Sequence, residues 1–208
     1  MADSQLDNST IPDTPAAGKL AMFVDSTTKK LCYVDDTGHV NGSLSRNNAT
    51  TSQAPAAATD VYIAGSSLLI PSFGMQVGQH FRWFMGCSKT GAGTVQPQWN
   101  IRLGSNQSTA DTSRVAITTS GQTAAADNGL WIIEVSVVTV STTGTIWGMV
   151  ALSHTLVGGS GFGGEPTAPV TSSNFDNSAV GGQYLGISVN TGTSAAWTFT
   201  SVISELIG

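Results

Sequence analysis

The residue types that most often carry chemistry are sparse in this chain and poorly grouped. Its three histidines are His39, His80 and His154, and none stands within metal-ligand spacing of another histidine or of a cysteine. His39 follows Gly38 in a turn pattern, while His80 and His154 sit at the ends of strand patterns. Isolated in this way, they read as solvated or hydrogen-bonded side chains. Asp35 and Asp36 are adjacent, so on a strand they would point to opposite faces, and they fit the cap of a turn better. Glu134 is the carboxylate to follow. It lies inside the apolar run 131–135, on the face shared with Ile132 and Ser136. A lone carboxylate there needs an arginine, a hydroxyl partner or solvent, and Arg82, Arg102 and Arg114 are the nominees for a pair. Glu134 and Glu165 are also the nominees for a glycan-cleaving site, which needs two carboxyl groups about 5–10 Å apart.

The segment Gly159-Ser160-Gly161-Phe162-Gly163-Gly164 matches the G-x-G-x-x-G fingerprint after an apolar strand. A dinucleotide loop must lead into a helix whose N-terminus holds the pyrophosphate. Glu165-Pro166-Thr167-Ala168-Pro169 follows instead, and its prolines bar that helix. The segment reads as a loop. No nucleophile elbow, phosphate loop, zinc-protease or calcium-loop motif occurs. The expectation is a non-catalytic chain without a cofactor or metal. Cys32 and Cys87 each fall on an apolar strand pattern and read first as small buried hydrophobes, with a disulfide between them the lesser reading. Trp83, Trp99, Trp131, Trp147 and Trp197 all lie in or beside strand patterns. Most belong in a core, and one or two on an outer face could stack on a sugar ring.

Composition narrows the setting. Only 10% of the 208 residues are charged, against an ordinary level of about 25%, so the surface must be rich in Ser, Thr, Asn, Gln and Gly. Such surfaces suit subunits that stay in contact with other subunits. The net charge is −5, from 13 acidic and 8 basic residues. The densest basic group is Lys29-Lys30, which cannot displace phosphate counterions as nucleic-acid binding requires. Neither nucleic acid nor a membrane is expected as a partner, and no apolar run approaches the roughly 20 residues of a membrane span. Met1-Ala2-Asp3-Ser4 lacks the basic start of a secretory leader. The sequons at Asn8, Asn41, Asn48 and Asn106 carry little weight amid so many Ser and Thr residues.

Three stretches follow from the pattern. Residues 1–40 read as an extended arm and a docking hairpin. The arm holds Pro12 and Pro15 and must be tied down by another surface. The hairpin pairs 20–24 with 31–34 and closes with Asp35-Asp36-Thr37-Gly38. Two strands alone are marginal in water, so Ile11, Pro12, Pro15, Leu20, Met22, Phe23, Leu31 and Tyr33 are the expected docking residues. Residues 41–59 have a linker composition. Residues 60–208 read as β throughout. Phe81, Trp83, Met85 and Cys87 alternate with Arg82, Phe84 and Gly86, and Trp99, Ile101 and Leu103 alternate with Gln98, Asn100 and Arg102. The stretches 130–140 and 145–156 are apolar on both faces, which places them between sheets or between subunits. Trp131, Ile133, Trp147, Met149, Trp197 and Phe199 are the expected oligomer or sheet-packing residues. Nine or ten strands at this spacing predict an all-β fold, a jelly-roll-like two-sheet sandwich.

The start Pro15-Ala16-Ala17-Gly18-Lys19-Leu20-Ala21-Met22-Phe23-Val24-Asp25, running on through Lys30-Leu31-Cys32-Tyr33-Val34-Asp35-Asp36-Thr37-Gly38-His39-Val40, resembles the opening of many tailed-phage structural proteins. The segments Leu130-Trp131-Ile132-Ile133-Glu134-Val135 and 197–207 are similar to jelly-roll domains of phage decoration and fibre proteins. The resemblance implies a homotrimer in the virion, assembled in the bacterial cytoplasm, with the arm docked on the major capsid protein or another virion protein. The alternative is a tail-associated receptor-binding or adaptor protein that contacts host glycan.

Overall fold

The computed structural model describes residues 8–9, 12–25, 31–36, 40–42, 46–71, 74–156, 160–163, 169–192 and 196–207. Four strands at the N-terminus form one sheet in chain order: β1 (Asn8–Ser9), β2 (Leu20–Asp25), β3 (Leu31–Asp35) and β4 (Val40–Gly42). The expected hairpin is β2–β3, with Met22 opposite Tyr33 and Phe23 opposite Cys32. It gains β4 antiparallel on one side and β1 parallel on the other. Alternation then divides the side chains. Phe23, Cys32 and Val34 share a buried face, while Leu20, Met22 and Tyr33 share the opposite face and stay exposed. Asp36 accepts a hydrogen bond from the Gly18 N–H, fastening the end of the arm to the β3 turn.

The remaining strands build the sandwich. In order they are β5 (Arg46–Ala49), β6 (Asp60–Tyr62), β7 (Leu68–Leu69), β8 (His80–Lys89), β9 (Gln98–Gly104), β10 (Thr112–Thr118), β11 (Asp127–Thr139), β12 (Thr145–His154), β13 (Val170–Thr171), β14 (Tyr184–Asn190) and β15 (Trp197–Ile207). The larger sheet runs β13-β12-β11-β8-β15-β5, and the smaller runs β10-β9-β14-β6, with β7 continuing the β6 edge along β14. Every pairing in these two sheets is antiparallel. The chain steps between the sheets as it runs. The late strand β14 inserts between β6 and β9, and β15 inserts between β5 and β8. This is jelly-roll wiring, extended at one edge by β12 and β13.

Inward-facing residues of both sheets form one core. Phe81, Trp83, Met85 and Cys87 point in from β8, Trp99, Ile101 and Leu103 from β9, and Trp131, Ile133, Val135 and Val137 from β11. Trp197 sits in the middle. It stacks on Trp131 at 5.4 Å between centroids and meets the Phe162 ring edge-on at 4.9 Å, with Trp99 and Phe199 about it. Its indole N–H donates to Gln122 Oε1 at 2.7 Å, and Trp83 donates to the Ser66 carbonyl at 2.6 Å. These two indoles are buried with their N–H groups paired, whereas the buried N–H groups of Trp99 and Trp131 have no hydrogen-bond partner.

One expected boundary differs. The stretch 41–59, read as a linker, contains β5, which pairs Arg46–Ala49 with Val202 to Glu205 at the edge of the larger sheet. Gln53 then bridges to the Phe199 backbone, and its side-chain amide exchanges two hydrogen bonds with the Ala64 backbone. Polar residues can build this strand because an edge position needs backbone pairing more than an apolar side chain. Cys32 and Cys87 are both buried thiols.

Candidate functional site

The two outer faces of the sandwich differ in chemistry. On the larger sheet, strand register sets side chains in cross-strand rows. One row reads Arg46, Glu205, Arg82, Glu134, Met149. The next reads Asn48, Ile203, Phe84, Ile132, Ala151. On the other side of the charged row lie Ile207, His80, Ser136 and Trp147. Arg82 Nε donates to Glu134 Oε1 at 2.7 Å, and its guanidinium carbon lies 5.7 Å from the Phe84 ring centroid. The Glu134 partner is therefore Arg82, one of the three nominees, on a face that is one-third exposed at both side chains. The apolar members remain open: Trp147 is 51% exposed, Ile203 41% and Leu130 38%. An apolar outer face crossed by alternating charges is suited to contact, since oily patches of this kind mark interaction sites.

The smaller sheet turns a largely polar face outward, with Leu69 exposed at its β7 edge. Arg102 Nε donates to Ser188 Oγ at 2.7 Å, Nη1 donates to the Thr109 carbonyl at 3.0 Å, and Nη2 meets the Asp60 carboxylate. Asp60 also accepts from Asn100 and Ser188. Asp111 holds the following loop through the Asn106 backbone and side chain. Gly186 lets Tyr62 lie across the sheet, because a Cβ there would meet the Tyr62 hydroxyl at 1.8 Å. Burial raises the Tyr62 phenol, although hydrogen bonds to Ser67 and Ser66 oppose it. Beside this network is an open cleft of about 530 Å³, bordered by Asn47, Asp60, Tyr62, Ser67, Gln107 and Thr109 among others. Arg102 and Asp60 are occupied by each other and their neighbours, which favours a bracing role for both.

A third cluster closes one end of the core. The Asp127 side chain has no exposure and accepts from His154 Nδ1 at 2.7 Å, Thr155 Oγ1 at 2.8 Å and the Phe162 N–H at 3.1 Å. Burial pushes this carboxyl up, but the hydrogen bonds from Phe162, Thr155, His154 and Asn128 outweigh it and hold it below the ordinary carboxylate range. Gly161 has φ +68°, and a Cβ there would strike Asp127, so the described part of the glycine-rich loop is shaped around this carboxylate. Lys89 is buried, with Nζ donating to the carbonyls of Thr90, Thr123 and Ala125. Desolvation lowers its ammonium, against the opposing pull of Asp127. All these groups are satisfied by the chain itself, so the cluster is a fastening of loop to core.

The expected site residues separate cleanly. Trp131, Ile133, Trp197 and Phe199 pack inside the sandwich, whereas Trp147 and Met149 stand on the open outer face. Leu20, Met22 and Tyr33 share the open face of the N-terminal sheet, and Phe23 is buried on the other. Pro12 and Pro15 are half-buried. Ile11, His39, Glu165 and the two ends of the 159–164 loop, Gly159 and Gly164, lie outside the described residues, as does the side chain of Leu31. Among the described residues, no group of three or more His, Cys, Asp or Glu side chains is placed to hold a metal ion. The Asp127 fastening and the Arg102 network carried no signal in the sequence, since their members come from segments far apart in the chain. No protein-family model and no curated protein matches this sequence.

Proposed function

We propose that the chain is a non-catalytic structural subunit of a tailed-phage particle, a capsid decoration or head-fibre protein. It docks on the major capsid protein, or another virion protein, through its N-terminal sheet and associates with itself through the β sandwich. The observation that carries this reading is the open apolar face of Leu20, Met22 and Tyr33, with Leu20 64% and Met22 62% exposed. A small sheet with one buried and one open apolar face gains stability when a partner covers the second. The test is co-sedimentation of the full-length protein with empty capsids of the phage that encodes it. Met22→Glu is expected to abolish binding while leaving the melting curve of the sandwich unchanged. Equal binding by the wild type and Met22→Glu would refute docking through this face.

A second reading, a tail-associated protein contacting host glycan, draws on the polar cleft beside Tyr62. Its ring and the surrounding Asn, Ser, Thr and Gln side chains match the stacking-plus-hydroxyl chemistry of a sugar site. A glycan screen of wild type and Tyr62→Ala tests it: binding lost in the variant supports the cleft, and no binding by either removes the reading.

A further inference from the structure

Four charged residues cross the outer face of the larger sheet in the order Arg46, Glu205, Arg82, Glu134, one on each of β5, β15, β8 and β11. Their charges cancel, so the row has no net attraction for a strongly acidic or basic partner. The Arg82–Glu134 pair on the two central strands is instead complementary to its own reversal. A two-fold axis running along the strands between β8 and β11 turns a second copy onto this face with the row reversed. Arg82 then meets Glu134 of the second copy, and Glu134 meets its Arg82, while Glu205 meets Met149 and Arg46 lies toward the β13 edge. The flanking rows match in the same register: Phe84 meets Ile132, Ile203 meets Ala151, and Trp147 meets Ile207. Rotation about an axis along the charged row would set Arg82 against Arg82, so the pattern selects one orientation. Aligned stacking of two sheets about 10 Å apart is an established way to cover such faces.

The area is adequate. Four long strands at about 4.8 Å spacing, paired over ten residues at about 3.4 Å each, give a footprint of roughly 650 Å² before side-chain relief and the short edge strands are counted. A stable interface buries about 800 Å² on each partner. The outer face of the smaller sheet is dominated by the polar network of Arg102, Asp60 and Ser188 and suits such a sheet-on-sheet contact less well.

We infer that two copies of this chain pair face to face through the outer surface of the six-stranded sheet, in an isologous contact registered by Arg82 and Glu134. The pairing rests on the reading of the chain as a self-associating structural subunit and names the partner, the face and the symmetry. It differs from the trimer that the phage resemblance implies.

Mixing of charge-reversed full-length variants tests it. Arg82→Glu places two acidic groups against each other across the axis, and Glu134→Arg places two basic ones. Each alone is expected to weaken self-association about tenfold or more, whereas an equimolar mixture restores every cross-axis pair and reforms the dimer. Mixing cannot repair an intrachain defect, so recovery is specific to the interface, and thermal melts of each variant confirm folding. Light scattering after size exclusion should show wild type at twice the 21.3 kDa of one chain, the single variants at one, and the mixture at two. A trimeric or monomeric wild type, or single variants that still pair, would overturn the proposal. A monomer that still binds empty capsids overturns the pairing alone, and a dimer that binds none overturns only the docking role.

Discussion

At the residue scale, the best-supported prediction concerns Asp127, which has no exposed side-chain surface and anchors Phe162, Thr155 and His154. Asp127→Asn removes a buried acceptor from several donors and is expected to cost about 3 kcal/mol, seen as a melting point about 6–12 °C lower. The carboxyl is held below its ordinary value, so its contribution is complete above the unfolded value of about 3.9 and fades as pH falls through the folded value. Wild type should therefore lose its advantage over Asp127→Asn below about pH 4, as melts from pH 6 to pH 3 would show. Cys87 makes a second case. Burial pushes its thiol up, against a weaker opposing hydrogen bond from the Thr198 backbone, so the thiolate is scarce at neutral pH. Alkylation with iodoacetamide should leave Cys87 unmodified in the folded protein and label it once urea unfolds the chain. The sequence marked Cys87 as buried through its place on an alternating strand. It gave no such mark for Asp127, whose neighbours Asn128 and Gly129 resemble a turn.

At the element scale, β8, β9, β11 and β12 were readable because each alternates over at least seven residues, with large apolar side chains on the core face. β5 was not, because Arg46, Asn47, Asn48 and Ala49 are poor strand formers whose pairing is fixed by β15. Two truncations separate these cases. A chain starting at residue 43 keeps β5 and should melt like the sandwich of the full-length protein. A chain starting at residue 60 also loses β5 and the Gln53 links, and should be about 2–4 kcal/mol less stable, measured by circular dichroism. A matched pair of substitutions tests inside against outside. Trp197→Ala empties the centre of the aromatic cluster and should cost about 3–5 kcal/mol. Trp147→Ala, in dilute solution, should change stability by less than about 0.5 kcal/mol.

At the scale of the whole molecule, the sandwich has one polar outer face and one apolar one, and the N-terminal sheet adds a second open apolar surface. The low charge of the sequence raised the expectation of contact between subunits, and the doubly apolar stretches pointed to β11 and β12, whose outer faces carry the exposed Leu130, Trp147 and Met149. The register did not follow from the sequence, because which charges stand side by side depends on strands joined by crossovers between sheets. Register is what makes the row of alternating charges, on which the proposed pairing rests. The account stands on that apolar face being covered by another subunit. Acrylamide quenching of tryptophan emission, followed across a dilution series, tests this directly because the other four indoles are buried and Trp147 is half exposed. Protection that is strong at high concentration and falls on dilution, in step with loss of the oligomer, is the predicted result. Quenching that is the same at every concentration would contradict the account, since Trp147 would then face solvent throughout.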